Sequence, residues 1–282
     1  MLNPSNAAQH RTALSHLGVV QIEGADGTKF LQGQLSNDLT KLTPGAMMLA
    51  GLHNPQGRAI ALLRLVLMAP ELVLAVVPKE LVAPVVTRMS KFVLRAKVKI
   101  TDGSAAWAVN GVEAPEGMPL NSLQVVATDG KSDSGASVEP AGVEAWRARE
   151  IAAGMPQVYA ATSEAFVAQM LNLDVVDGIA FDKGCYTGQE VIARAHYRGK
   201  VKRRMQRFRT TGPTTFTAGG SGALPDGRAF KVVDAMKLPD GRCEFLAVAP
   251  LTAGAIEPEE SGTPVGTATQ AEQLPMAYAL PE

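Results

Sequence analysis

The sequence predicts an α+β fold in three parts. Two ferredoxin-like α/β modules, at 1–105 and 106–200, precede a C-terminal antiparallel β-barrel at 201–282. Two observations carry this. Residues 19–101 read in the order β-α-β-β-β-α-β, a split βαβ with one extra strand. After Met205, short strands such as Ala229–Val233 and Glu244–Val248 alternate with Pro/Gly turns, the pattern of a small barrel. A chain of 282 residues has room for these parts and their cores.

In the first module, Val19–Glu23 alternates like a strand and stops at Gly24. Asp26 can cap a helix carrying Phe30, Leu31, Gln34 and Leu35. Met47–Asn54 and Ala59–Met68 read as two strands around the turn Pro55-Gln56-Gly57, and Leu72–Val77 as a third. Pro78 suits a helix start, and Leu81, Val82, Val85, Val86, Met89 and Val93 trace one apolar helical face. Lys97–Thr101 closes the module as a strand. In the second, Trp107–Val112 and Ser122–Thr128 read as strands, Asp129–Ser137 as a hairpin tip or flexible loop. Thr162 or Ser163 can start a short helix carrying Phe166, Met170 and Leu171, with a turn at Asn172-Leu173-Asp174.

Composition excludes several functions. Lys plus Arg equals Asp plus Glu at 27 each, so no global charge points to nucleic acid or to a membrane surface. The apolar stretch 59–77 is broken by Arg64, Pro70 and Glu71, too soon for a membrane span. Two cysteines, Cys185 and Cys243, make no disulfide framework, and no basic segment with an apolar run opens the chain, so a cytoplasmic protein is expected. Cys243, at a strand start, reads as structural.

Chemistry concentrates between Asn172 and Arg209. Thr187 followed by Glu190 is a capping-box pattern, predicting a helix over Val191, Ile192 and Ala195 that ends near Gly199. Cys185 then lies just before a helix N-terminus and two residues from Lys183. Both features favour a thiolate, the form that attacks electrophiles and binds soft metals. The alternative is a space-filling core cysteine. Arg194, Arg198, Lys200, Lys202, Arg203, Arg204, Arg207 and Arg209 form a local basic run with no acid between Val191 and Thr210. It reads by default as a solvated strand with partners elsewhere. Otherwise it is an anion clamp, for a glutamate tail or for RNA phosphates. Few aromatics are interleaved, which argues against a single-stranded nucleic-acid platform.

The string KGCYTGQE, preceded by NLD and GIAF, resembles the signature of the YgfZ family, relatives of the glycine-cleavage T-protein (aminomethyltransferase). GADGTKFLQGQLSNDL, LAGLHNPQGRAIALLRL, the Trp146–Pro156 segment and the closing LPMAYALPE are similar to other family segments, so the resemblance spans most of the chain. It implies a T-protein-like arrangement around a central channel. It further implies a tetrahydrofolate-binding factor that supports iron–sulfur cluster assembly or repair and thereby tRNA methylthiolation. Partners would be folate, iron–sulfur enzymes or cluster carrier proteins, with a weak tRNA contact through 194–209 as the alternative use of the basic run. Cys185 would be the essential group, as nucleophile or transient cluster ligand, with Lys183 beside it. Trp146, Tyr186, Gly188, Gln189, Glu190 and Arg194 would serve the cofactor, Trp146 by stacking on a ring of folate. The family's second folate tryptophan corresponds to Leu17 here. T-protein enzymes carry an Asp pair where this chain has Ala61 and Leu62, which argues against aminomethyl transfer. A folate-dependent one-carbon transferase remains the rival enzyme reading.

Overall fold

Three antiparallel sheets meet along one helix. The computed structural model describes residues 11–112, 123–128, 140–199, 201–252 and 269–281. The proposed hairpin tip at 129–137 lies outside the described residues. Five strands, β2 (Leu17–Glu23), β3 (Met47–His53), β4 (Ala59–Ala69), β5 (Leu72–Pro78) and β6 (Lys99–Asp102), form a sheet in the order β3-β4-β5-β2-β6. Helix α1 (Gly27–Gln32) joins β2 to β3, and α2 (Val82–Ser90) joins β5 to β6, in the element order read from the sequence. The helical face expected from the periodicity is the buried one: Val82, Val85 and Met89 face the core. Both faces of β4 are covered, which is why Ala59–Leu65 is a nearly unbroken apolar run. Asp26 precedes α1 but does not cap it; its Oδ2 instead accepts from Lys97 N at 2.7 Å.

The second sheet differs from a full ferredoxin-like module. It has three strands in the order β1-β7-β8, and β1 (Arg11–Ala13) comes from the start of the chain to pair with β7 (Trp107–Val112). Strand β8 is Leu123–Ala127. Helix α3 (Pro140–Ala152) follows, and the chain from 153 to 188 is then largely irregular, with 3-10 turns at Ala160–Thr162 and Ala168–Leu171 where one helix was expected. The turn at Asn172 takes a left-handed φ of 58°, a conformation asparagine tolerates. Helix α4 (Gln189–Arg198) ends at Gly199 as expected.

The C-terminal sheet runs β10-β11-β12-β9-β13, with β9 (Arg203–Thr210), β10 (Ser221–Ala223), β11 (Ala229–Lys237), β12 (Cys243–Pro250) and β13 (Ala271–Leu274). Among the described residues it is not the closed barrel predicted. The two edges meet through one backbone bond, Thr269 N to Ala223 O at 2.7 Å, rather than a ladder. Its interior holds Phe208 stacked against Phe230 and Phe245, with Cys243 buried in the same cluster, in keeping with a structural cysteine.

Helix α3 ties the sheets together. Gly142 packs on Thr12 of β1, and Trp146 lies against Gly111 of β7. Glu150 reaches Arg64 of β4 at 2.6 Å, and Arg147 reaches Asp234 of β11 at 2.5 Å. One buried cluster runs from Val20 through Ile151, Leu173 and Ile192 to Met205 and Val248. No helix among the described residues is long and apolar enough to cross a membrane.

Candidate functional site

The KGCYTGQE loop is pinned at three points. Lys183 reaches back to the end of α1, where its Nζ donates to the carbonyls of Gln32 (2.8 Å), Leu35 (2.7 Å) and Asn37 (2.7 Å). An ammonium has three donors, and all three are used. Burial pulls its pKa down to about 8, with Asp38 opposing. Gln32 holds the same corner by accepting from Leu39 N and donating to Asp38 Oδ1, a role not readable from its position in the sequence. Tyr186 is the second point. Its ring is buried, 5.1 Å beneath Lys183 Nζ and 6.4 Å from the ring of His53. Burial also pushes its hydroxyl up to about 12, so it remains a neutral phenol at any physiological pH.

Gly188 is the third. It takes φ of 85°, and a Cβ there would lie 2.5 Å from Asn54 O and 3.1 Å from Gly57 Cα. The β3–β4 turn therefore presses directly on the loop, and only glycine fits. This contact also moves the helix start. Gly188 stands at the N-cap with no side-chain cap, so the expected Thr187–Glu190 capping box does not form.

Cys185 is exposed, on the span held between Lys183 and Gly188. The three N–H groups of Lys183 are all directed to backbone carbonyls, so none is left to donate to the Cys185 sulfur. The helix begins four residues after the thiol, at Gln189, rather than beside it. Gln189 is partly exposed, and Glu190 and Arg194 are exposed. Accessibility and a fixed backbone on both sides are what the fold supplies to Cys185.

His53, at the end of β3, is fully buried with neither ring nitrogen hydrogen-bonded. Burial pushes it down to about 4. The unfolded chain takes up this proton near pH 6.5, so stability is full above that pH, falls between about 6.5 and 4, and levels off below. The loss expected from His53 is about 3 kcal/mol. Urea midpoints measured from pH 7 to pH 4.5 should decline, and His53→Leu should make the decline shallower, leaving the share of His16.

Trp146 is not at this loop but in a separate core cluster with Val109 and Leu123. It is 2% exposed, with Gly111 against its six-membered ring and the Arg149 guanidinium 5.1 Å over it. No ring face is open, so the expected stacking on folate is corrected. Around it lies an unexpected set of buried polar atoms without partners: Trp146 Nε1, Asn110 Oδ1 and Nδ2, Arg64 Nη1 and Glu150 Oε1. His16, nearby, is pushed down to about 4 by burial and by the guanidiniums of Arg147 and Arg64. Such a set suits a heterocycle that offers both donors and acceptors. Neither Ala61 nor Leu62 brings a carboxylate; both are buried apolar positions of β4.

Among the described residues, three cations of the basic run are paired within the chain. Arg204 is buried on Asp174 (2.9 and 2.8 Å), and Arg207 and Arg209 both reach Glu244. Arg194 and Arg198 remain exposed on α4, with no ion pair among the described residues.

The fold is similar to that of an aminomethyltransferase. Among solved structures, glycine cleavage system aminomethyltransferase T from Bartonella henselae matches with a TM-score of 0.65, over 86% of this chain and 78% of that one. Identity is 14%, so the likeness is one of fold. No family model matches the chain. An uncharacterized protein of Haemophilus influenzae (strain ATCC 51907 / DSM 11121 / KW20 / Rd) is 31% identical, over 70% of this chain and 72% of its own length. The tRNA-modifying protein YgfZ of Escherichia coli O45:K1 (strain S88 / ExPEC) is 28% identical, over 81% and 82%. That of Klebsiella pneumoniae (strain 342) is 29% identical, over 85% of each chain. The chain belongs to the YgfZ family.

Proposed function

We propose that this protein is a tetrahydrofolate-binding factor that supports assembly or repair of iron–sulfur clusters, and through cluster-dependent enzymes the methylthiolation of tRNA. The observation that carries the reading is Cys185, an exposed thiol on a loop pinned by Lys183 and Gly188. One cysteine supplies one ligand, and clusters take four protein ligands. The rest would come from a client enzyme or a carrier protein, which the exposure of Cys185 permits. Membership in a family whose relatives are named tRNA-modifying proteins supports the destination.

The folate reading rests on the seam at α3. Glu150 Oε1 would accept from ring N–H groups, Arg64 Nη1 and Trp146 Nε1 would donate to ring acceptors, and the Asn110 amide would do either. Tetrahydrofolate, when bound, supplies a carrier of one-carbon units. The rival one-carbon transferase or demethylase needs a catalytic carboxylate or thiol near the folate, and buried Ala61 and Leu62 supply no carboxylate.

Binding is testable without any assay of turnover. A reduced folate at about 100 times its Kd should stabilise the fold by about 2.7 kcal/mol, seen as a rise in Tm. Arg64→Met should abolish the rise even after allowance for its lower starting Tm. No rise with the parent protein at millimolar folate would remove the folate reading.

A further inference from the structure

Apart from the α3 seam and the Cys185 loop, a cleft of about 530 Å³ opens between the start of β3 and the segment 177–182. Met47 and Met48 line one wall, Phe181 and Tyr197 the other, and Asp177 and Asp182 stand among them. Tyr197 is 68% exposed, unusual for a ring that already has neighbours. It is held edge-on to His196 (4.7 Å, 80°) and Phe181 (6.1 Å, 71°), and the rings of Phe181 and His196 stack at 3.7 Å. The result is an aromatic corner with a largely exposed ring at its edge. Arg194 and Arg198 lie three residues before and one after Tyr197 on α4. Both are exposed cations, with Arg194 and Arg198 one helical turn apart.

We propose that this cleft takes the base of an unpaired nucleotide in single-stranded RNA, stacked on Tyr197, with Arg194 and Arg198 on the flanking phosphates. The assignment rests on the tRNA-related function proposed above and adds to it a direct contact with RNA. Three features select this occupant. An aromatic platform beside cations on a helix is the chemistry by which single strands are held. The volume exceeds a single base and is too small for a duplex. The carboxylates of Asp177 and Asp182 can accept from exocyclic amines, which cytosine and adenine carry and uracil lacks. Lys41, 3.4 Å from Asp182, keeps this rim from being purely anionic.

The test is fluorescence anisotropy with short end-labelled cytidine, adenosine and uridine oligoribonucleotides over a series of KCl concentrations. Cytidine and adenosine strands should bind more tightly than uridine. Tyr197→Ala should weaken binding about tenfold or more, with an unchanged melting curve because the ring is exposed. Arg194→Gln with Arg198→Gln should reduce the slope of log K against log salt by about 1.4. Absence of binding at about 50 mM KCl, or equal affinity of Tyr197→Ala and the parent, overturns the proposal. Rescue of tRNA methylthiolation by a protein that binds no RNA would overturn this cleft alone. RNA binding through Tyr197 without such rescue would overturn the wider function alone.

Discussion

Replacing Arg204 with alanine should destabilise the protein by about 3–5 kcal/mol, the largest loss expected of any single substitution in the basic run. The guanidinium is 4% exposed and bidentate to Asp174, itself 8% exposed. It also donates to Gln169 O (3.1 Å) and Asn172 Oδ1 (3.3 Å). Asn172 in turn donates to Met205 O, so the NLD turn and strand β9 are bound as one unit. Alanine would leave the Asp174 carboxylate buried without its cation. Lysine should recover only part of the loss, because one ammonium cannot reproduce the two-pronged contact. Urea unfolding measures both, and an Arg204→Ala loss below about 1 kcal/mol would contradict the assignment.

The second large effect is expected from Lys183→Met, which keeps the length of the side chain and removes its donors. Three carbonyls at the end of α1 would lose their partner at once, for a cost of about 3 kcal/mol. The effect should be local as well as global. Hydrogen exchange should accelerate at 183–188 more than at β4, since the tether goes while the sheet core stays. Unchanged exchange in the loop would mean that Gly188 and Tyr186 hold it without Lys183.

Local patterns were legible in the sequence, whereas long-range partners were not. The alternation in β2, the apolar run of β5, the turn at 55–57 and the face of α2 were readable because period and turn chemistry are local properties. Strand β1 was missed because its pairing with β7 joins residues about a hundred positions apart, and a three-residue strand has no period to detect. The capping box at Thr187 failed for a similar reason. The pattern is local, but Asn54 O imposes the backbone of Gly188 from another element. In the candidate site, the motif singled out Cys185 and Lys183, but the carbonyl partners of Lys183 at Gln32, Leu35 and Asn37 were not readable from it. Arg204 reads in the sequence as part of a solvated strand with partners elsewhere; it has such a partner in Asp174, but the pair is buried, and the Glu150–Arg64 pair was not readable at all. The aromatic corner at Tyr197 escaped notice because Phe181 and His196 meet only through the fold.

The central claim is that Cys185 acts through its thiol while the fold is indifferent to it. A bacterial strain lacking its own YgfZ-family member should receive the parent protein, Cys185→Ser or Cys243→Ser, with methylthiolated tRNA as the readout. The parent and Cys243→Ser should restore it wherever they accumulate, and Cys185→Ser should accumulate equally yet fail. Full rescue by Cys185→Ser would contradict the account and leave the exposed cysteine without a role.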